Sequence, residues 1–161
     1  MSLTITNLQK KIDQQPVLEA VTFSLDRGQV VGLVGPNGIG KTTIFRTITH
    51  QYIADGGTVK VDDHDLATEP AQREAIFYLD QQHLFFRKYS LVKIAANYAL
   101  LYTDFDQAAF LHLIEKFGLN GAARFQSLSK GYQALVMVAL ALASQAPYVF
   151  LDEPFDLSLI H

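Results

Sequence analysis

A glycine-rich loop between an apolar segment and a segment with helical periodicity constrains this chain more than any other feature. Residues 35–43 read GPNGIGKTT and match the pattern G-x-x-x-x-G-K-[ST]. Residues 29–34, just before the loop, are almost all apolar, which predicts a strand covered on both faces. Residues 41–52 have apolar side chains at helical spacing, which predicts a helix. A strand before the loop and a helix after it are the setting in which such a motif binds phosphate.

The composition of this loop suits the binding of a nucleotide's phosphates. Glycine reaches backbone angles closed to other residues, so Gly35, Gly38 and Gly40 allow successive N–H groups to converge on phosphate oxygens. Lys41 would neutralise charge on the β- and γ-phosphates, and the Thr42 hydroxyl would help to coordinate Mg²⁺. The alternative is a chance match in a glycine-rich turn. The predicted phosphate-binding residues are Gly35, Pro36, Asn37, Gly38, Ile39, Gly40, Lys41, Thr42 and Thr43.

Two carboxylates follow a second apolar segment. Residues 148–151 predict a buried strand, and Asp152 and Glu153 come directly after it. Ligands of open α/β sheets collect at the carboxyl ends of the strands. Asp152 is suited to hold Mg²⁺ through water, and Glu153 to orient and deprotonate an attacking water. An ordinary acidic strand end is the alternative, but the phosphate loop earlier in the chain favours the functional interpretation.

Strand and helix patterns alternate along the chain, which predicts the α/β class with a largely parallel sheet. The 161 residues fit one domain, and a mainly helical segment at about 85–135 is predicted to be inserted in it. Within that segment, Gly118 is predicted to end a helix, and Ser129 is predicted to precede a long apolar one.

Composition and charge exclude several classes of protein. The chain has no cysteine, so disulfide scaffolds, thiol catalysis and thiolate metal sites are excluded. Thirteen basic and sixteen acidic residues give a net charge of −3, which argues against a nucleic-acid partner bound through a broad basic face. The longest apolar run, residues 134–143, is well short of the roughly 20 residues that span a bilayer. We therefore expect a soluble, intracellular protein that reaches a membrane through a partner.

A third motif lies between the phosphate loop and the carboxylates. Residues 128–133 read LSKGYQ, immediately before the apolar helix, and residues 150–154 read FLDEP. With GPNGIGKTT before them, these motifs occur in the order found in the nucleotide-binding domains of ABC ATPases, which the chain resembles from about residue 3 to residue 156. The resemblance implies an α/β fold of the P-loop NTPase, ABC ATPase type, with a mostly parallel sheet core, a small antiparallel β part and a helical subdomain.

The resemblance also implies a mechanism. Two such domains pair head to tail, and the LSKGYQ loop of each covers the ATP bound by the other. Ser129 and the Gly131 N–H would bind the γ-phosphate across that interface, because a helix start attracts anions. Gln81, which ends FYLDQ where the family has its Q-loop glutamine, would contact Mg²⁺ and the attacking water. The alternatives are that Ser129 only caps its helix and that Gln81 is a solvated loop residue. The expected catalytic residues are Glu153, Gln81 and Lys41, and the expected metal ligands are Thr42, Asp152 and Gln81.

Four departures from the family pattern are visible. Ile12 stands where the family usually stacks an aromatic ring on adenine, so we expect apolar contact with the base without ring stacking. Ala134 and Leu135 are apolar where glutamine and arginine are common, and the residues after Pro154 form no recognisable D-loop. The chain stops at His161, before the family's final strands and switch histidine, so it resembles a C-terminally truncated domain.

Residues 84–89, LFFRKY, follow the predicted Q-loop and allow two interpretations. One is the apolar core of the helical subdomain. The other is a docking surface for a coupling helix of a membrane partner, with Phe86 as a central contact. In the second case a Phe86→Asp variant would lose the partner and keep ATP binding.

The motifs favour the ATP-binding subunit of an ABC transporter, which binds and hydrolyses Mg-ATP as a dimer and powers transport through a membrane subunit. We expect it at the cytoplasmic face of the cell membrane, held there by that subunit. The alternatives are a non-transport ABC ATPase and a truncated nucleotide-binding module without turnover. A comparison of ATP affinity with hydrolysis rate would identify the last of these.

Overall fold

The chain combines strands and helices, which confirms the predicted α/β class. The computed structural model describes residues 2–36, 38–80 and 84–152. Its elements are β1 (Ser2–Ile12), β2 (Gln15–Asp26), α1 (Lys41–Ile48), β3 (Gly56–Val61), β4 (His64–Asp65), β5 (Ile76–Asp80), α2 (Leu91–Leu101), α3 (Gln107–Lys116), α4 (Lys130–Ala143) and β6 (Tyr148–Asp152). Short 3₁₀ segments lie at Pro70–Ala75 and Phe125–Ser127.

The chain divides into two compact units, residues 1–78 and the residues from Leu79 onward. The first holds an antiparallel sheet of four strands in the order β2-β1-β3-β4. β5 and β6 form a two-stranded parallel sheet. The prediction of one domain with a helical insertion at about 85–135 stays a prediction.

Apolar and polar residues alternate along the antiparallel sheet and place one of its faces in the core. On β1, Leu3 and Ile5 are fully buried and lie opposite the buried Val61 and Val59 of β3. Along β2, the side chains at 21, 23 and 25 are half-buried, whereas those at 22, 24 and 26 are exposed. This period of two is typical of a strand with one buried face.

A close approach of β1 and β3 requires glycine at position 57. β1 has an irregular register between Ile5 and Leu8, where Asn7 adopts a left-handed backbone with φ 50°. Gly57 has φ 85°, and a Cβ atom built on it would collide with the Asn7 carbonyl group. Any side chain at position 57 would therefore push β3 away from β1.

The strand predicted before the phosphate loop is not formed. Residues 29–34 have no regular secondary structure, and Val30 and Val34 are 100% and 94% exposed. A strand requires hydrogen-bonding neighbours, and none of the strands in the described ranges pairs with this segment. Apolar composition favours burial but cannot supply the neighbouring strands. The prediction of a strand covered on both faces is therefore wrong.

Three helices of the second unit build an apolar core around aromatic side chains. α2, α3 and α4 contribute the buried Tyr98, Phe110 and Met137. The Tyr98 ring stacks on Phe105 with 5.8 Å between centroids, and Phe105 in turn contacts Phe110. Aromatic pairs at such distances add to the stability that burial alone provides.

Capping side chains and a glycine mark ends of these helices. Side-chain oxygens of Ser90, Asp106 and Ser129 cap α2, α3 and α4. Gly118, with φ 74°, follows α3 and confirms the predicted helix end. Within the described ranges, no helix combines the length and the apolarity that crossing a membrane requires.

Candidate nucleotide-binding site

The phosphate loop takes the sharply turned backbone that its glycines permit. Gly38 and Gly40 have φ of 81° and 106°, in the left-handed region that favours glycine. Gly35 lies outside that region, but a Cβ built on it would be 3.1 Å from Ile39 Cγ2. The Ile39 N–H donates to the Pro36 carbonyl oxygen at 3.4 Å. Two of the three glycines therefore have the backbone role predicted for them, whereas Gly35 leaves room for a neighbouring side chain.

The end of the loop packs tightly against β2. A Cβ built on Gly40 would lie 3.0 Å from Val17 Cγ1 and 3.5 Å from the Val17 carbonyl oxygen. The left-handed backbone and this contact together restrict position 40 to glycine. Sequence analysis missed Val17, because an apolar strand residue carries no motif. The feature nearest to Val17 in the chain is the tight turn that precedes β2, where Asp13 and Gln14 have φ values of 49° and 66°.

The first turn of α1 leaves N–H groups without helical partners. The Ile44 N–H donates to the Gly40 carbonyl oxygen at 2.9 Å, and the N–H groups of Lys41, Thr42 and Thr43 precede this bond. Among the described residues, no side chain caps α1, whose N-cap is Gly40. An anion bound here would accept the hydrogen bonds that a capping side chain accepts in other helices.

Lys41 reaches back across the loop. Its Nζ donates to the carbonyl oxygens of Gly35 at 2.7 Å and of Pro36 at 3.0 Å. Both acceptors are neutral, and no carboxylate of the described chain forms an ion pair with this ammonium group. The half-buried Lys41 therefore keeps a positive charge at the loop, where a phosphate could pair with it.

The LSKGYQ loop, residues 128–133, includes the first turn of α4 in the second unit. Ser129 is the N-cap, with φ −60° and ψ 158°, and its Oγ accepts from the Tyr132 N–H at 3.4 Å. The capping interaction is thus present, although its length makes it weak. Ser129 and Gly131 are both exposed, so capping leaves them accessible to a ligand.

Asp152 is the last residue of β6, and its side chain is buried. This position confirms the prediction of a carboxylate at the carboxyl end of a strand. Asn37, Gln81 and Glu153, which were also predicted for the site, lie outside the described residues.

The segment of the chain that contains this loop, the two helix starts and the acidic strand end is similar to known proteins. The profile of the ABC transporter family matches residues 18–156, a range that contains all three motifs. The chain belongs to the ABC transporter family.

Relatives and solved structures of this family agree. The chain is 34% identical over 165 residues to the lipopolysaccharide export system ATP-binding protein LptB of Escherichia coli (strain K12), covering 96% of this chain and 68% of that protein. It is 29% identical over 154 residues to the ABC transporter ATP-binding protein YtrB of Bacillus subtilis (strain 168), covering 96% and 53%. A solved ATP-binding subunit of an ABC transporter matches with a TM-score of 0.82 at 28% identity, over 97% of this chain and 68% of that one. The chain thus spans between about half and about two thirds of these proteins.

In this ABC family chain, Ile12 ends β1 opposite Gln15 and is partly exposed. Asp55 holds the strand end, because its Oδ2 accepts from the Lys11 N–H at 2.6 Å and lies 3.3 Å from Lys10 Nζ. The Lys11 hydrogen bond and the Lys10 ammonium lower the pKa of Asp55 below its ordinary value. Ile12 therefore offers an accessible apolar surface at an anchored position, and its contact with the base stays a prediction.

Within residues 84–89, the structure tests the role assigned to Phe86. Phe86 is fully buried, and its ring packs edge to face on Phe125 at 5.2 Å and on Tyr98 at 5.8 Å. The prediction of Phe86 as a docking contact is therefore wrong, and the core interpretation is right for this residue. Phe85 is 59% exposed and is the aromatic residue of the pair that reaches the surface.

Proposed function

We propose that this chain is the ATP-binding part of an ABC transporter ATPase subunit, which binds and hydrolyses Mg-ATP as a head-to-tail dimer to drive transport. The observation that carries this proposal is the placement of Lys41. Its ammonium group spans the loop through two neutral carbonyl oxygens, next to the uncapped start of α1. Positive charge and N–H donors at one place are what a nucleotide's phosphates require.

The loop lies in the first unit, and its residues suit the binding of ATP. Gly38 and Gly40 have a left-handed backbone and carry no side chains, so the N–H groups near them can approach phosphate oxygens. We assign the phosphates to residues 35–43, including Thr43 in the first turn of α1. Ile12 would contact the base. The packing of Gly40 against Val17 supports this assignment, because it fixes the loop end where the helix begins.

The available oxygen donors also fit Mg²⁺. Thr42, a half-buried residue in the first turn of α1, carries a hydroxyl group, and Asp152 supplies a buried carboxylate at the end of β6. Magnesium prefers such hard oxygen ligands and keeps several waters. We propose Thr42, Asp152 and Gln81 as the residues that hold it, directly or through water. When bound, the ion neutralises charge on the phosphates.

Hydrolysis would depend on residues of both copies in a dimer. Glu153 would orient and deprotonate the attacking water, and Gln81 would help to position it. Lys41 would stabilise the negative charge that develops on the phosphates. Ser129 and the Gly131 N–H of a second copy would contact the γ-phosphate, which their exposed positions permit.

Coupling to transport rests on the relatives. LptB is named for lipopolysaccharide export, and YtrB is an ABC transporter ATP-binding protein. We infer a membrane-subunit partner for this chain and a place at the cytoplasmic face of the membrane.

The proposal is tested by measuring ATP affinity and hydrolysis together. We expect the chain to bind Mg-ATP in calorimetric titration, and we expect a Glu153→Gln variant to keep that affinity while hydrolysis stops. Lys60→Ala changes an exposed lysine of β3 outside the loop and serves as the control that keeps both. A chain that does not bind Mg-ATP would refute the proposal, and binding without turnover would restrict it to a nucleotide-binding module.

A further inference from the structure

The LSKGYQ loop contains a buried polar residue to which the phosphate chemistry assigns no role. Gln133 is only 6% exposed and lies on the face of α4 that also buries Ala134, Val136 and Met137. An amide among apolar neighbours is unfavourable unless hydrogen bonds compensate for lost water. Its partners therefore show what the side chain does.

Both donors of the Gln133 amide are directed at the segment that precedes Ser129. Nε2 donates to the Leu128 carbonyl oxygen at 3.0 Å and to the Phe125 carbonyl oxygen at 3.3 Å. The Gln133 backbone N–H donates to the Ser129 carbonyl oxygen at 2.8 Å. One residue thus satisfies three carbonyl groups of residues 125–129. The Leu128 carbonyl belongs to the peptide that joins Leu128 to Ser129, so the amide also restricts the orientation of Ser129.

Phe125 gives this arrangement a rigid support. Its side chain is buried, its ring packs edge to face on Phe86 at 5.2 Å, and its N–H donates to the Tyr89 carbonyl oxygen at 3.0 Å. Gln133 therefore ties the exposed loop to a point held by the core. Without this tie, the weak 3.4 Å cap between Ser129 Oγ and the Tyr132 N–H would be the remaining side-chain restraint described at this helix start.

We propose that Gln133 is the positioning residue of the LSKGYQ loop. Its amide holds the Leu128–Ser129 peptide so that the Ser129 hydroxyl and the Gly131 N–H are presented in one orientation to the phosphate of a nucleotide held by a second copy. The inference rests on the proposed function for its ligand, but its local part, the fixing of the loop, does not. Preorganised donors bind more tightly because the cost of ordering them has already been met.

The local part is tested without nucleotide. Gln133→Met keeps the length and apolar body of the side chain and removes both donors. We expect amide hydrogen exchange at Leu128 and Tyr132 to become about tenfold faster, since two hydrogen bonds are lost. Ser144→Ala removes a buried hydroxyl at the other end of α4, where Oγ donates to the Ala141 carbonyl oxygen at 2.7 Å, and should leave exchange at Leu128 and Tyr132 unchanged. If Gln133→Met does not fold, Gln133→Asn withdraws the amide by one methylene and should show the same change.

The functional part is tested by ATP-dependent self-association. We expect Gln133→Met to weaken association in Mg-ATP about tenfold, as measured by sedimentation, while ATP affinity of the single chain and association of Ser144→Ala stay at the parent values. A purely structural role would instead lower ATP affinity and association together with thermal stability. Unchanged exchange, or faster exchange with unchanged association, would overturn the inference. Failure of the parent chain to bind Mg-ATP would overturn the proposed function, and the exchange measurement would still decide whether Gln133 fixes the loop.

Discussion

Two helix starts in this chain have residues assigned to phosphate, and they are built differently. α1 begins after Gly40, which offers no capping side chain, and Lys41 turns back onto loop carbonyl oxygens. α4 begins after Ser129, which caps it, and Gln133 holds the preceding loop. The first start has no side-chain cap, so its N–H groups remain available to a ligand. The second start is ordered by its own cap and by Gln133, without a ligand. A site within the chain can be completed by its nucleotide, but a surface presented to another copy benefits from being ordered beforehand.

The largest effect is expected at Lys41. Lys41→Ala removes the charge next to the start of α1 and should weaken Mg-ATP binding about a hundredfold or more, since charge-assisted hydrogen bonds to phosphate are lost. Calorimetric titration measures this, with Lys60→Ala as the control. Equal affinities in the variant and the parent would show that the Lys41 ammonium group does not contribute to nucleotide binding at the start of α1.

Gly40→Ala tests the backbone of the first start. The new Cβ would occupy a left-handed position 3.0 Å from Val17 Cγ1, so we expect a loss of about 1–3 kcal/mol in the free energy of unfolding and weaker nucleotide binding. Chemical denaturation and titration measure the two effects. A variant as stable as the parent would mean that the loop does not depend on this conformation.

Gly131→Ala is the matched change at the second start and should have the opposite sign. Gly131 lies in the first turn of α4, and a Cβ built on it meets no atom within 4 Å. Because alanine favours the helix over glycine, we expect a gain of about 0.5–1 kcal/mol in the free energy of unfolding. A loss comparable to that of Gly40→Ala would remove the contrast between the two starts.

The smallest effect is expected from Ser129→Ala. The cap bond is long, so we expect a loss of about 0.5 kcal/mol in the free energy of unfolding and no change in the ATP affinity of the single chain. Ser90→Ala removes the cap of α2, a bond of 3.3 Å to the Lys93 N–H, and is the matched control. Only Ser129→Ala should reduce ATP-dependent self-association. Equal reduction by both variants would assign the effect to helix stability.

Signals within a few consecutive residues predicted the structure well. Ser129 caps α4, Gly118 follows the end of α3, and Gly38 and Gly40 take left-handed angles, all as expected. Caps and left-handed glycines depend on hydrogen bonds and steric limits between near neighbours in the chain. The prediction that the loop binds phosphate rests on the same kind of signal, because its charge and donors are contiguous.

Signals that require a distant partner predicted less. Residues 29–34 were expected to be a buried strand, and Phe86 was assigned in one interpretation to a docking surface. The structure exposes Val30 and buries Phe86 under Phe125. Apolar residues indicate that burial is favourable, but they do not indicate which segment provides it.

Local sequence was therefore sufficient for the character of both helix starts: a glycine loop with a lysine at one, a serine cap at the other. Contacts between separate segments established the rest. Val17 lies against Gly40, although Val17 belongs to no motif. Gln133 bonds to the Leu128 and Phe125 carbonyl groups, and the LSKGYQ motif, of which it is the last residue, does not predict these bonds. The physical reason is that backbone angles and caps are decided over three or four residues, whereas packing and buried hydrogen bonds depend on which atoms the fold brings within reach.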